Sequence, residues 1–173
     1  MGLDLAGNEA EYKSEPFYGI FREARQAGLH LTIHAGEWGP AANVTEAIEQ
    51  LGAERIGHGV RVLEDRAAVD LARERCIPFE VCVTSNYQSG VISAPEAHPL
   101  ARMLETGLNV TINTDDPSVS RITLSHEYQV FCNQLGLPES TLRQCIPAAG
   151  EAAFLPDAAR ADLVARLKKE LEL

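Results

Sequence analysis

Apolar positions along the chain switch between two periods, and the switching is regular. Gly2 to Ala6 reads as a short strand, after which Phe17, Ile20, Phe21 and Ala24 recur at helical spacing, so a helix is predicted from Phe17 to Ala27 with Gly28 as its stop. From Leu29 to Ala35 the period drops to two, with Leu29, Leu31 and Ile33 on one face and His30, Thr32 and His34 on the other. Asn43 and Glu46 have capping-box spacing ahead of Val44, Ala47, Ile48 and Leu51, which predicts a short helix closed by Gly52. Arg55 to His58 predicts a third strand, Asp65 an N-cap for a helix to about Arg75, and the alternation of Phe79, Val81 and Val83 a fourth strand. A helix over His98 to Thr106 stops at Gly107, and Leu108, Val110 and Ile112 form a fifth strand leading into Asn113-Thr-Asp-Asp-Pro117. Further helices are predicted near residues 124–135, 139–154 and 157–171, separated by Gly136, Pro138 and Pro156.

Strands alternating with helices in this way predict an α/β fold with a parallel sheet. No linker, low-complexity tract or close repeat interrupts the rhythm, so residues 1–173 are expected to form a single domain. With 45% hydrophobic residues the chain is long enough to bury a sizeable core. The net charge of −10 repels phosphate backbones and anionic lipid surfaces, which argues against nucleic acid and membrane partners. No apolar run approaches the roughly 20 residues that span a bilayer, and Met1 is not followed by a secretory leader pattern, so a soluble cytoplasmic protein is expected. Cys76, Cys82, Cys132 and Cys145 contain no C-x-x-C pair and are expected to be reduced core residues.

The C-terminal ends of parallel strands form the reactive rim of such a sheet, and the polar clusters fall there. The five predicted strands end in Asp4-Leu-Ala-Gly-Asn-Glu9, His34-Ala-Gly-Glu37, Gly57-His-Gly59, Thr84-Ser-Asn86 and Asp115-Asp116. His34 and Asp115 offer an imidazole nitrogen and a carboxylate oxygen, both ligands for a divalent metal. Glu37, three residues past His34, suits a general acid or base beside that metal. His58, between two glycines, is placed to orient a metal-bound water or take its proton, and Asp116 to accept a hydrogen bond from substrate. His30 lies four residues before His34, roughly 13 Å away along an extended strand, and is read as structural. His98 and His126 are assigned no chemistry. Trp38 either lines a pocket for an aromatic substrate or packs against the rim. The joint placement points to a metal-assisted hydrolytic site.

In order along the chain, the five clusters resemble the signature of adenosine deaminases of the bacterial type, with the fifth read as Asn113-Thr-Asp-Asp-Pro117. Thr123-Leu-Ser-His-Glu-Tyr128 and Ala152-Ala-Phe-Leu155 resemble the C-terminal region of that family. The resemblance implies a TIM-type (β/α)8 barrel, a bound Zn2+ ion and a small-molecule purine nucleoside as substrate. It implies hydrolysis of adenosine or deoxyadenosine to inosine or deoxyinosine with release of ammonia. By position, it implies that His34 and Asp115 bind zinc, Glu37 protonates N1 of the purine, and His58 stands beside the attacking water. Asp116 then contacts N7 and the Gly7 backbone contacts N3.

Members of the family also carry a His-x-His pair on the first barrel strand, and no such pair occurs in this sequence. Aligned on the motifs, the first strand here corresponds to the fourth of the barrel. The expectation is therefore a partial TIM-type (β/α)8 barrel of strands 4 to 8 with C-terminal helices, weak zinc binding by the chain alone, and self-association or a complementing N-terminal half. A deaminase of adenine or another 6-aminopurine is the second reading, and a non-catalytic half-barrel that binds a purine or a partner chain is the third.

Overall fold

A computed structural model describes residues 1–173. Five strands, β1 (Gly2–Leu5), β2 (His30–Ala35), β3 (Arg55–His58), β4 (Pro78–Val81) and β5 (Asn109–Ile112), form one sheet. They lie in the order β1-β2-β3-β4-β5 and every pairing is parallel. Between them run α1 (Tyr18–Gln26), α2 (Ala41–Glu46, prolonged by a π turn over Ala47–Leu51), α3 (Arg66–Glu74), α4 (Val83–Gln88) and α5 (Leu100–Glu105). Four more helices follow β5: α6 (Pro117–Ser120), α7 (Leu124–Gln129, prolonged by a π turn over Val130–Gln134), α8 (Glu139–Glu151) and α9 (Asp157–Glu170).

Strand order equal to chain order, combined with right-handed crossovers, puts the connecting helices on one face and curves the sheet around the other. The result is a partial (β/α) barrel. The register explains why the two faces differ. Leu5, Ile33, Ile56, Phe79 and Val110 stand side by side on neighbouring strands and point toward the helices. Ile33, Ile56, Phe79 and Val110 are buried there in a core with Leu100, Met103 and Phe131. One residue along, His34, Gly57, Glu80 and Thr111 form the next row, on the inner face. The period of two thus separates an apolar seam from a polar lumen.

The inner face is closed at its lower end by the chain leaving α8. Arg55 pairs with Glu80 at 3.1 Å and donates to Thr32 Oγ1 and to the Ala152 carbonyl. Its guanidinium lies 3.6 Å over the Phe154 ring, which stacks on His30 with centroids 4.4 Å apart. His30 also hydrogen-bonds Glu54, so it is structural as expected.

Several local expectations change. Asn43 does not cap α2: the helix starts after Pro40, and the Asn43 amide donates to Glu9 Oε2 at 2.8 Å. Asp65 does cap α3, accepting the Ala67 N–H. β4 ends at Val81, so Val83 and Thr84-Ser-Asn86 belong to helix α4 rather than to a strand end. His98 precedes α5, which begins at Leu100, and α8 stops at Glu151, which frees Phe154 to turn inward. All four cysteines are free thiols, but only Cys82 and Cys145 are buried, and Cys76 is exposed. Burial raises the Cys82 and Cys145 thiols above their ordinary range, which leaves them unreactive. No helix is long and apolar enough to cross a membrane.

Candidate active site at the strand ends

The loop after β2 carries Glu37 and is held from β1. The Glu9 carboxylate accepts three successive backbone N–H groups, those of Gly36 (2.9 Å), Glu37 (2.6 Å) and Trp38 (2.9 Å), as well as the Asn43 amide. A carboxylate satisfying consecutive amides fixes a loop more firmly than a neutral acceptor would. Glu37 is thereby held in a buried position, while Trp38 remains 43% exposed on the rim. Glu9 had no role assigned from sequence, and its place in a strand-end cluster was the only signal.

His34, at the end of β2, is half-buried with its Nε2 3.4 Å from Asp4 Oδ2. The His34 and His58 rings meet edge to face, centroids 4.9 Å apart. His58, almost fully buried, points Nε2 toward Glu37 Oε2 at 3.5 Å and Asp115 Oδ2 at 3.9 Å. Asp115 Oδ2 in turn accepts the Ser85 hydroxyl at 2.6 Å. His58 and Asp115 both adopt left-handed backbone, with φ of 61° and 57°. Such a conformation costs a non-glycine residue about 1–3 kcal/mol and persists only where surrounding contacts enforce it.

Ligand atoms of His34, Glu37 and His58 lie within 4.8 Å of one another, and with Asp115 beside them the donors are imidazole nitrogens and carboxylate oxygens. That set suits zinc. Of the sequence-derived pair, His34 belongs to the compact group with Glu37 and His58, whereas Asp115 stands outside it, 3.9 Å from His58 Nε2. Asp116 lies next to it, its Oδ1 accepting the N–H groups of Ser118 and Val119 and so capping α6. Gly7 has φ of 147° and open space where a side chain would stand. A cavity of about 440 Å3 adjoins Gly7 and His34. It runs behind the sheet between the loop after β1 and α2, and Glu37, His58 and Asp115 do not line it.

The electrostatics sort these groups. Burial raises the Glu37 pKa above the ordinary carboxylate range, and the hydrogen bond from Asn86 opposes that only in part. Burial also pulls His58 down to about 4, helped by the neighbouring His34, which keeps its ring neutral. For His34 burial is the largest influence and acts downward, but the carboxylates of Asp4, Asp115 and Glu37 together outweigh it and the pKa rises.

Two residues without an assigned role complete the site. Asn86, fully buried on α4, donates to Glu37 Oε1 (2.9 Å) and to His58 Nδ1 (3.1 Å), and its own Oδ1 faces His98 Nε2 at 3.2 Å. Glu127, also fully buried, accepts the Thr84 N–H at 3.4 Å in the first turn of α4. The shift of Thr84-Ser-Asn86 from strand to helix is what lets Ser85 and Asn86 reach different partners.

A profile of the family described as adenosine deaminase matches residues 1–170. The chain belongs to the adenosine deaminase family. An adenosine deaminase of Escherichia coli is 45% identical over 153 residues, a match covering 88% of this chain and 46% of that protein. The crystal structure of an adenine deaminase from Arthrobacter aurescens superposes with a TM-score of 0.94 at 30% identity, covering 99% of this chain and 53% of the other. An amidohydrolase from Burkholderia ambifaria with bound Zn gives 0.91 at 28% identity, covering 99% and 48%. Arabidopsis ADAL complexed with IMP gives 0.86 at 26%, covering 99% and 49%. The chain therefore spans about half the length of the adenosine deaminase family members it matches.

Proposed function

We propose that this chain contributes the acid, the water-side histidine and part of the metal shell to an enzyme that removes the 6-amino group of a purine nucleoside. Water adds to C6 of adenosine or deoxyadenosine, ammonia leaves, and inosine or deoxyinosine is formed. The observation that carries the reading is a buried Glu37, its pKa raised by burial, with its Oε2 3.5 Å from His58 Nε2 at the rim of a parallel sheet. A carboxyl whose pKa is raised by burial is the kind of group that can protonate N1, which draws electrons from C6 and opens it to attack. His58 offers a hydrogen bond to the incoming oxygen, and Asp115 accepts one from the same side. The Gly7 backbone and the second oxygen of Asp116 serve as contacts to N3 and N7.

His34 and Asp115 are the residues that would hold zinc. The ion would supply Lewis acidity that makes water nucleophilic near neutral pH. Two protein ligands fall short of the three usual in catalytic zinc sites, so zinc held by this chain alone binds weakly and turnover needs further donors.

The relatives named adenosine deaminase match at 45% identity, against 30% for the adenine deaminase, which favours the nucleoside. The TM-score of 0.94 to the adenine deaminase keeps the free base as the second reading. The test grafts residues 1–173 onto the remainder of the Escherichia coli relative and follows adenosine and adenine turnover by ultraviolet absorbance, with zinc content measured on the same sample. Faster turnover of adenosine is expected. Faster turnover of adenine selects the second reading, and a fully zinc-loaded graft inert toward every 6-aminopurine overturns the deaminase proposal.

A further inference from the structure

The rim residues rest on a buried chain of hydrogen bonds whose direction is set by one backbone group. At the N-terminus of α5 the Leu100 N–H donates to His98 Nδ1 at 3.0 Å. A backbone amide can only donate, so His98 Nδ1 is an acceptor and the proton of the neutral ring sits on Nε2. His98 is 5% exposed, an environment that favours that neutral ring. Its Nε2–H must therefore donate to the Asn86 atom it faces, which makes that atom the oxygen Oδ1, 3.2 Å away. Asn86 is fully buried, and its orientation leaves Nδ2 to give one proton to Glu37 Oε1 at 2.9 Å and the other to His58 Nδ1 at 3.1 Å.

We propose that the His98–Asn86 pair is a positioning device that sets where the protons lie on both Glu37 and His58. His58 Nδ1 accepts from Asn86, so its ring proton is confined to Nε2, the nitrogen that faces Glu37 Oε2 and Asp115 Oδ2. Glu37 Oε1 is likewise occupied as an acceptor, so a proton taken up by the carboxylate goes to Oε2, on the same side. Both mobile protons are thus directed into one volume. In this arrangement the neutral His58 ring presents a donor and has no free Nε2 lone pair, so it orients and stabilises the attacking oxygen rather than removing its proton. Asn86 hydrogen-bonds Glu37 and His58, and His98 hydrogen-bonds Asn86, so the pair acts on the site through Glu37 and His58. The catalytic consequence rests on the deaminase reading, whereas the proton positions do not.

The experiment is long-range proton–nitrogen correlation NMR on the 173-residue chain labelled with nitrogen-15 histidine, which reads the tautomer of each ring without any need for turnover. His58 and His98 are expected to show a pyridine-like Nδ1 and a pyrrole-like Nε2. In Asn86→Asp the new carboxylate accepts where the amide donated, and the His58 proton is expected to move to Nδ1, while His98→Phe is expected to leave the His58 ring a mixture of both tautomers. A pyrrole-like Nδ1 on either ring of the unaltered chain overturns the proposal, even if neither variant folds. So does a folded Asn86→Asp chain in which His58 keeps its proton on Nε2. A failure of adenosine turnover in the graft, with the expected tautomers present, would instead count against the deaminase reading alone.

Discussion

Two glycines flanking His58 test separate parts of the structure, because an added methyl group meets the site at one and the core at the other. At Gly57, on the inner face, a built Cβ lies 2.6 Å from His34 Cδ2 and 3.0 Å from Cγ. The ring would have to recede by about 0.8 Å to regain the 3.4 Å of ordinary contact. Overpacking of this kind costs about 1–3 kcal/mol, and moving a ligand from its place lowers metal affinity about 10–100-fold. At Gly59, where φ is 65°, the Cβ lies 2.3 Å from Phe79 Cδ1, so left-handed strain of about 1–2 kcal/mol adds to overpacking against a fully buried ring. Gly57→Ala is therefore expected to weaken zinc binding about 10–100-fold, and Gly59→Ala to lose about 2–5 kcal/mol of stability. Urea unfolding and zinc competition titration on both variants make the comparison. A Gly57→Ala chain with unchanged zinc affinity would refute the placement of the His34 ring against β3.

In the grafted enzyme Glu37→Gln keeps the shape but removes the proton, and a loss of about 100- to 10,000-fold in turnover with zinc retained is expected; full turnover would sink the acid assignment. His98 offers a pH test. Burial, and secondarily the nearby His58, depress its folded pKa to about 4 from 6.5, so the unfolded chain takes the proton first. Its contribution is complete above about pH 6.5 and is lost as pH falls toward 4, amounting to about 2–3 kcal/mol. The stability difference between pH 7 and pH 4.5, read from urea midpoints, should shrink by that amount in His98→Gln and should not change if the ring is solvated. Phe154→Ala removes the ring between Arg55 and His30 and is expected to cost about 1–3 kcal/mol, checked by the same midpoints.

The adenosine deaminase signature was legible because each motif is local and the strand ends bring such motifs to one rim. The alternation of Leu31, Thr32, Ile33 and His34 states which side chains share a face, so the strand and its histidine followed from spacing alone. Asp65 was likewise readable, since an N-cap bonds two residues ahead. Asn43 has the same local signal but does not cap, because Glu9, 34 residues away, takes its amide and the helix starts earlier, after Pro40. The alternation of Val81 and Val83 suggested one continuous strand, yet Glu127 reaches across to the Thr84 N–H in the first turn of a helix.

What the chain determined by itself, then, was the order of elements and the residues they deliver to the strand ends, since both follow from short-range periodicity. Only the tertiary structure decided which atoms of those residues face one another. The left-handed backbone of His58 and Asp115 goes against local preference and is imposed by packing. The link from Leu100 through His98 and Asn86 to Glu37 spans contacts up to 49 residues apart, a separation that leaves no periodic trace in the sequence.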